Sequence, residues 1–406
     1  MTDLRNYALV TGAYWGFTLT DGALRMLVLL HFHELGYAPA QIAFLFLLYE
    51  FFGVVTNLVG GWVGSRMGLK ITLFAGLALQ VAALCLLAQL DPGWSVLASV
   101  AWVMGAQALS GIAKDLTKMS SKSAIKLLVP GEAQGALFKW VAVLTGSKNA
   151  LKGAGFFLGG VLLVWFGFRA ALLAMAAVLA LVLVLSVLSF PKGMGRTGGK
   201  VKFSRILSKS RDINLLSAAR LFLFGSRDVW FAVGLPVYLS AGLGWSHPQV
   251  GGFLALWVIG YGGVQSLAPV LLRRGLAGGT PRGGTASLGA FALAGLTALI
   301  ALGVGAGLSP RLTVVAGLAL FGLVFAVNSA VHSYLVLVYT DSETVSLDVG
   351  FYYMANAAGR LVGTLLSGLV FQAAGLVGCL WVSVFFVLIA GALSLRLPRG
   401  SRAEAR

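Results

Sequence analysis

Six cationic side chains interrupt long apolar stretches of this chain: Arg25, Lys148, Lys152, Arg220, Arg227 and Arg360. Arg25 follows Asp21 by four residues, and the acid-first i,i+4 order favours an ion pair along one helix. Lys148 and Lys152 repeat that interval, so they share a helix face, with Asn149 beside them. Arg220, Arg227 and Asp228 occupy one further run, Asn356 and Arg360 another, and Glu50 stands alone in its own. A charge at the middle of a membrane helix costs about 2.5–3.5 kcal/mol, so such groups should face a partner or a wet cavity rather than lipid. Asp21, Glu50 and Asp228 supply only three carboxylates against the six cations. Fixed positive charge in excess of its counter-charge calls for a negatively charged guest. A phosphate ester brings a charge of about −1.5 to −2. Arginine clamps such groups in bidentate fashion, and Asn149 and Asn356 would orient them. The three carboxylates are the candidates for ion coupling, since intramembrane acids serve as proton relays.

The elements that must position these groups follow from composition. The chain has 406 residues, 58% hydrophobic and 11% charged. Soluble domains run at about 45–50% apolar and about 25% charged. The sequence therefore reads as an all-α membrane protein embedded in a lipid bilayer. A span needs roughly 20 apolar residues. Apolar runs punctuated by turn signals predict about twelve spans, at 7–34, 40–64, 71–90, 95–118, 133–166, 170–190, 213–240, 248–272, 286–305, 312–339, 345–373 and 376–397. The net charge of +17 reflects Lys and Arg concentrated in one set of loops. That asymmetry predicts a multi-pass membrane protein with both termini cytoplasmic. No basic, aromatic-interleaved soluble module is present, so nucleic acid is not expected as a partner. Cys85 and Cys379 offer neither a disulfide framework nor metal-ligand spacing. No metal and no cofactor is expected, and a monomer is. His31, His33 and His332 are read as packing residues.

The two halves echo each other. Leu35-Gly36-Tyr37 followed by Gln41-Ile42 recurs as Leu243-Gly244-Trp245 followed by Gln249-Val250, and Arg66 falls on Arg274 at the same offset. Parallel repeats of this kind predict two pseudo-symmetric six-helix bundles, 1–190 and 212–406, joined by a basic linker at 191–211. The third, sixth, ninth and twelfth spans lack interior ionisable residues, so they suit lipid-facing positions.

The connection Gly61-Trp62-Val63-Gly64-Ser65-Arg66-Met67-Gly68-Leu69-Lys70 resembles the signature loop of major facilitators, with Ser65 where an Asp is usual. That resemblance implies the major facilitator fold, in which the four charge-poor helices form an outer ring. Arg66 and Lys70, with Lys114 and Asp115 at the cytoplasmic end of the fourth span, are the gating candidates. Further stretches are Thr20-Asp21-Gly22-Ala23-Leu24-Arg25-Met26, Tyr49-Glu50-Phe51-Phe52-Gly53, Ser110-Gly111-Ile112-Ala113-Lys114-Asp115-Leu116, Ser147-Lys148-Asn149-Ala150-Leu151-Lys152-Gly153 and Ala219-Arg220-Leu221-Phe222 through Ser226-Arg227-Asp228-Val229-Trp230. Together they resemble the ArsJ-type organoarsenical efflux permeases over nearly the whole chain. The resemblance implies export of 1-arseno-3-phosphoglycerate, conferring arsenate resistance. It also implies a functional link to a glyceraldehyde-3-phosphate dehydrogenase, which makes that compound when arsenate replaces phosphate. Two oxyanion ends suit a cavity rich in Arg and Lys. Trivalent arsenic seeks soft thiolates instead, and the two cysteines lie in opposite halves. Exporters or exchangers of other organophosphates, and drug/proton antiporters, remain alternatives. No Walker sequence, no His-Glu-x-x-His and no Gly-x-Ser-x-Gly occurs, so neither ATP-driven transport nor an intramembrane enzyme is expected.

Overall fold

A computed structural model describes residues 2–67, 69–128, 134–190, 210–275, 281–339 and 345–398. Among the described residues every regular element is helical: α1 (Thr2–Glu34), α2 (Pro39–Leu45), α3 (Leu47–Met67), α4 (Leu69–Leu87), α5 (Val96–Leu128), α6 (Gln134–Ser189), α7 (Arg211–Phe231), α8 (Gly234–Val237), a π-helical turn (Tyr238–Gly242), α9 (His247–Gly275), α10 (Gly283–Gly305), α11 (Pro310–Tyr339) and α12 (Val345–Ser394). Apolar side chains cover the outer faces as well as the cores. Trp165, Leu188, Leu256 and Leu288 are all exposed, as expected of surfaces that meet lipid rather than water.

Two helices are too long for one crossing. The apolar stretches Ser147–Ser189 (43 residues) and Asp348–Ser394 (47 residues) are each about twice the roughly 20 residues a span requires. Each breaks at a glycine with left-handed backbone, Gly167 at φ 71° and Gly375 at φ 61°. A side chain there would meet its own carbonyl, so glycine permits the reversal. Cutting α6 and α12 at these points, and joining α2 to α3 and α7 to α8, gives twelve membrane rods among the described residues. The chain is thus an all-α, multi-pass membrane protein.

The repeat is legible in backbone detail. Gly167 and Gly375 stand the same interval apart in the chain as Gly36 and Gly244, which also have positive φ. The Gln41 side-chain oxygen accepts from the Ala38 N–H at 2.8 Å, and the Gln249 oxygen accepts from the Ser246 N–H at 2.8 Å. Both glutamines cap the start of a helix just after a left-handed glycine.

The seventh rod differs from the continuous helix expected at 213–240. Pro236 lacks an N–H and its ring crowds the carbonyl four residues back, at Ala232. The helix opens there, with Val233 at φ −132°. The freed N–H groups of Val233 and Gly234 donate to Ser367 Oγ on α12 at 3.1 and 3.0 Å. Within a membrane such groups need an internal acceptor. α5 also runs to Leu128, beyond the expected end at 118, because no helix breaker intervenes before Pro130. The expected basic linker at 191–211 falls, for 191–209, outside the described residues.

The chain forms two compact units. The first holds Met1–Gly36, Leu48–Phe203 and Ser246–Ile259; the second holds Tyr37–Leu47, Ser204–Trp245 and Gly260–Arg406. In the first, α1 and α6 approach backbone to backbone. A Cβ added at Gly22 would come within 2.7 Å of the Lys152 carbonyl, and one at Gly155 within 2.6 Å of the Leu19 carbonyl. This close approach sets the charged stretch of α1 directly beside that of α6. In the second unit α7 and α12 pack together in the same way, bringing Arg220, Arg227 and Asp228 beside Asn356 and Arg360.

Candidate functional site

The first unit gathers its charges around one tyrosine. Asp21 is buried and accepts from the Tyr49 hydroxyl at 2.7 Å. Arg25 reaches across to α3, where its Nη1 meets Glu50 Oε1 at 2.8 Å. The i,i+4 spacing of Asp21 and Arg25 thus yields two cross-helix contacts, because α3 offers each a partner nearer than its own helix does. The Tyr49 ring lies 3.9 Å below the Lys114 ammonium and 5.9 Å from the Arg25 guanidinium. Both are cation–π contacts of the kind that desolvation strengthens.

Deeper along α5, Asp115 is fully buried. It accepts from Thr56 at 2.9 Å and from Lys118 at 3.2 Å, and Lys118 also donates to Asn57 at 2.7 Å. Lys148, Asn149 and Lys152 are half-buried on α6. The Lys152 ammonium stands 5.7 Å over the Phe156 ring, and next to Lys148 the Ser147 hydroxyl accepts from Trp15 Nε1 at 2.9 Å. Lys70 donates to the Phe190 carbonyl at 3.2 Å and sits over Phe74, which fixes the start of α4 to the end of α6. The Arg66 side chain lies outside the described residues, as do those of Lys122, Lys126 and Arg274.

The second unit is built from arginines. Arg227 lies against Asp228 Oδ1 (2.6 Å from its Nε), while Arg360 meets Asp228 Oδ2 at 3.3 Å, so two guanidinium groups share one carboxylate. Arg220 is 4% exposed. Its Nε donates to Asn356 Oδ1 at 2.9 Å, and its Nη1 donates to the carbonyl and hydroxyl of Ser329 at 3.1 and 3.0 Å. Among the described residues no carboxylate reaches Arg220. Phe224 lies between Arg220 and Arg227 on α7, 3.9 Å from the first and 4.9 Å from the second. Aromatic faces offset part of the cost of burying a guanidinium, but they bring no formal negative charge.

Every described candidate except Lys70 therefore falls into one of two clusters, one per unit. Arg25, Asp21, Glu50, Lys114 and Asp115 share the first, with Lys148, Asn149 and Lys152 on the adjoining stretch of α6. Arg220, Arg227, Asp228, Asn356 and Arg360 share the second. Sequence reading missed Tyr49, Ser329, Tyr261 and Gln265 as parts of these clusters. Single hydroxyls and amides in the middle of helices carry no spacing signal of their own.

A family model described as Major Facilitator Superfamily matches residues 10–310. The chain belongs to the major facilitator superfamily. A major facilitator of this kind is a secondary transporter. The fold agrees with solved structures. One is a POT family transporter in complex with 5-aminolevulinic acid, with a TM-score of 0.71 at 14% identity, covering 96% of this chain and 95% of that one. Another is a POT family transporter in complex with a thioalcohol-conjugated peptide, with a TM-score of 0.69 at 16% identity and the same coverage. No curated protein sequence matches the chain. The major facilitator fold is what the resemblance of the Gly61–Lys70 connection implies.

Proposed function

We propose that this major facilitator exports a multiply anionic organic solute, 1-arseno-3-phosphoglycerate, and thereby confers resistance to arsenate. The observation that carries the reading is the surplus of guanidinium in the second unit: Arg220 is buried with no carboxylate among the described residues, and Arg227 and Arg360 share Asp228. A phosphoryl or arsonyl end group supplies the charge that this cluster lacks. In this reading Arg25, Lys148, Lys152, Arg220, Arg227 and Arg360 hold the anion, and Asn149 and Asn356 orient it. Asp21, Glu50 and Asp228 couple transport to an ion, and Arg66, Lys70, Lys114 and Asp115 gate the cytoplasmic side. The solute moves by alternating access across the bacterial inner membrane, with both termini of a monomeric chain in the cytoplasm. A glyceraldehyde-3-phosphate dehydrogenase supplies it.

The test is arsenate uptake into everted vesicles, with and without that dehydrogenase, its cofactor and glyceraldehyde 3-phosphate. Uptake that requires the enzyme supports the reading; equal uptake without it defeats it. Replacing Arg227 or Arg360 with Met is expected to abolish arsenate resistance at normal membrane abundance. The same surplus charge suits an exchanger of other organophosphates. Counterflow with sugar phosphates in the absence of arsenate separates that second reading.

A further inference from the structure

Three hydrogen-bond donors converge on one neutral hydroxyl in the second unit. Ser329, on α11, is fully buried. Its Oγ receives Arg220 Nη1 at 3.0 Å, the Tyr261 hydroxyl at 3.2 Å and Gln265 Nε2 at 3.3 Å. A serine oxygen has two acceptor lone pairs. Three donors on it are one too many, and the two contacts from α9 are long beside the roughly 2.7–3.0 Å of well-made bonds. The arrangement is rich in donors and poor in acceptors, and one donor is a buried guanidinium without a carboxylate among the described residues.

A second, independent feature lies one turn along α11. His332 is fully buried, and neither of its ring nitrogens has a hydrogen-bond partner among the described residues. An imidazole left so costs about 1–3 kcal/mol per unmade bond. Serine 329 and His332 lie at i and i+3, so both project from the same side of the helix.

We propose that the donor ring around Ser329 is an oxyanion subsite, in which the serine hydroxyl occupies the place of one oxygen of a tetrahedral phosphoryl or arsonyl group. The proposal rests on the anion-export reading above and extends it to Tyr261, Gln265, Ser329 and His332. An anionic oxygen accepts three donors readily, and each charge-assisted bond is shorter and about twice as strong as its neutral counterpart. Gln265 and Asn356 are half-buried, whereas Tyr261 and Arg220 are buried. His332 offers one ring nitrogen, as acceptor to a protonated oxygen or as donor to an anionic one, to the same group. Ser329 lies about 15 Å along α11 from Tyr339 and about 30 Å from Pro310 at the helical rise. At that depth the ligand is a soluble solute rather than a lipid headgroup.

The test is isothermal titration of the full-length chain in phosphatidylcholine nanodiscs with 3-phosphoglycerate and with inorganic arsenate. Tyr261→Phe and Gln265→Leu are each expected to weaken 3-phosphoglycerate binding about fivefold to tenfold. Ser329→Ala is expected to leave it within about threefold of wild type or to tighten it, because the donors lose their internal acceptor. Tyr261→Phe removes one oxygen and keeps the ring, so weaker binding at an unchanged unfolding temperature reports the donor itself. Wild-type affinity in both Tyr261→Phe and Gln265→Leu overturns the subsite, as does a Ser329→Ala loss equal to that of Tyr261→Phe. If the wild type exports arsenic in vesicles while Tyr261→Phe and Gln265→Leu export equally well, the subsite falls and the export reading stands. If the wild type binds neither probe and exports nothing, both fall together.

Discussion

The two charged clusters solve the burial of cations in opposite ways. In the first unit each carboxylate has a close partner: Glu50 takes Arg25, Asp115 takes Lys118 and Thr56, and Asp21 takes the Tyr49 hydroxyl. In the second, Arg227 and Arg360 share Asp228, and Arg220 is held by neutral oxygens and aromatic faces, with no carboxylate among the described residues. A buried ion pair roughly cancels its own desolvation, and breaking one strands a charge. A buried guanidinium among neutral acceptors is left short of negative charge. On the proposed function, the difference gives the first cluster a structural share of the work and the second the larger share of anion recognition.

The largest expected effect is on stability in the first unit. Glu50→Gln leaves Arg25 without its carboxylate and should cost about 3–5 kcal/mol. The loss should show as reduced membrane abundance and a lower unfolding temperature in detergent. If Glu50→Gln keeps full abundance and loses only transport, the division between the clusters is wrong. Next is Arg220→Met, which on the proposed function removes two charge-assisted contacts to the anion. Transport should fall about a hundredfold, while abundance stays near wild type. Arg220→Met that unfolds the protein while Arg220→Lys restores abundance without transport would sharpen the same contrast. Tyr49→Phe takes the hydroxyl from buried Asp21 and should lower stability by about 1–3 kcal/mol in a thermal melt. The smallest effect belongs to Ser147→Ala, where the Trp15 bond is exposed; a change below about 1 kcal/mol is expected.

Much of the fold was legible because bilayer physics writes it in composition. The twelve apolar runs, the charge-poor third, sixth, ninth and twelfth spans and the Leu-Gly-aromatic repeat all follow from what lipid tolerates. The cross-helix partners were not legible. Spacing places Asp21 and Arg25 on one face, but the partners that Tyr49 and Glu50 provide depend on how closely α1 and α3 approach. Ser329 and Tyr261 were hidden for the same reason, since a lone hydroxyl gains meaning only from donors on other helices. The reach of α5 to Leu128 shows the opposite error. The four-residue lysine period from Lys114 to Lys126 suits a helix, yet the expected span stopped at 118 because apolar runs, not charged ones, set its bounds.

Pro236 also has a mechanical consequence. A helix opened at Ala232 no longer transmits torque from one end to the other. The segment Gly234–Gly242 is therefore tied to the rest of the rod through the Ser367 hydroxyl of α12, which takes both N–H groups at the break, within two turns of Arg227.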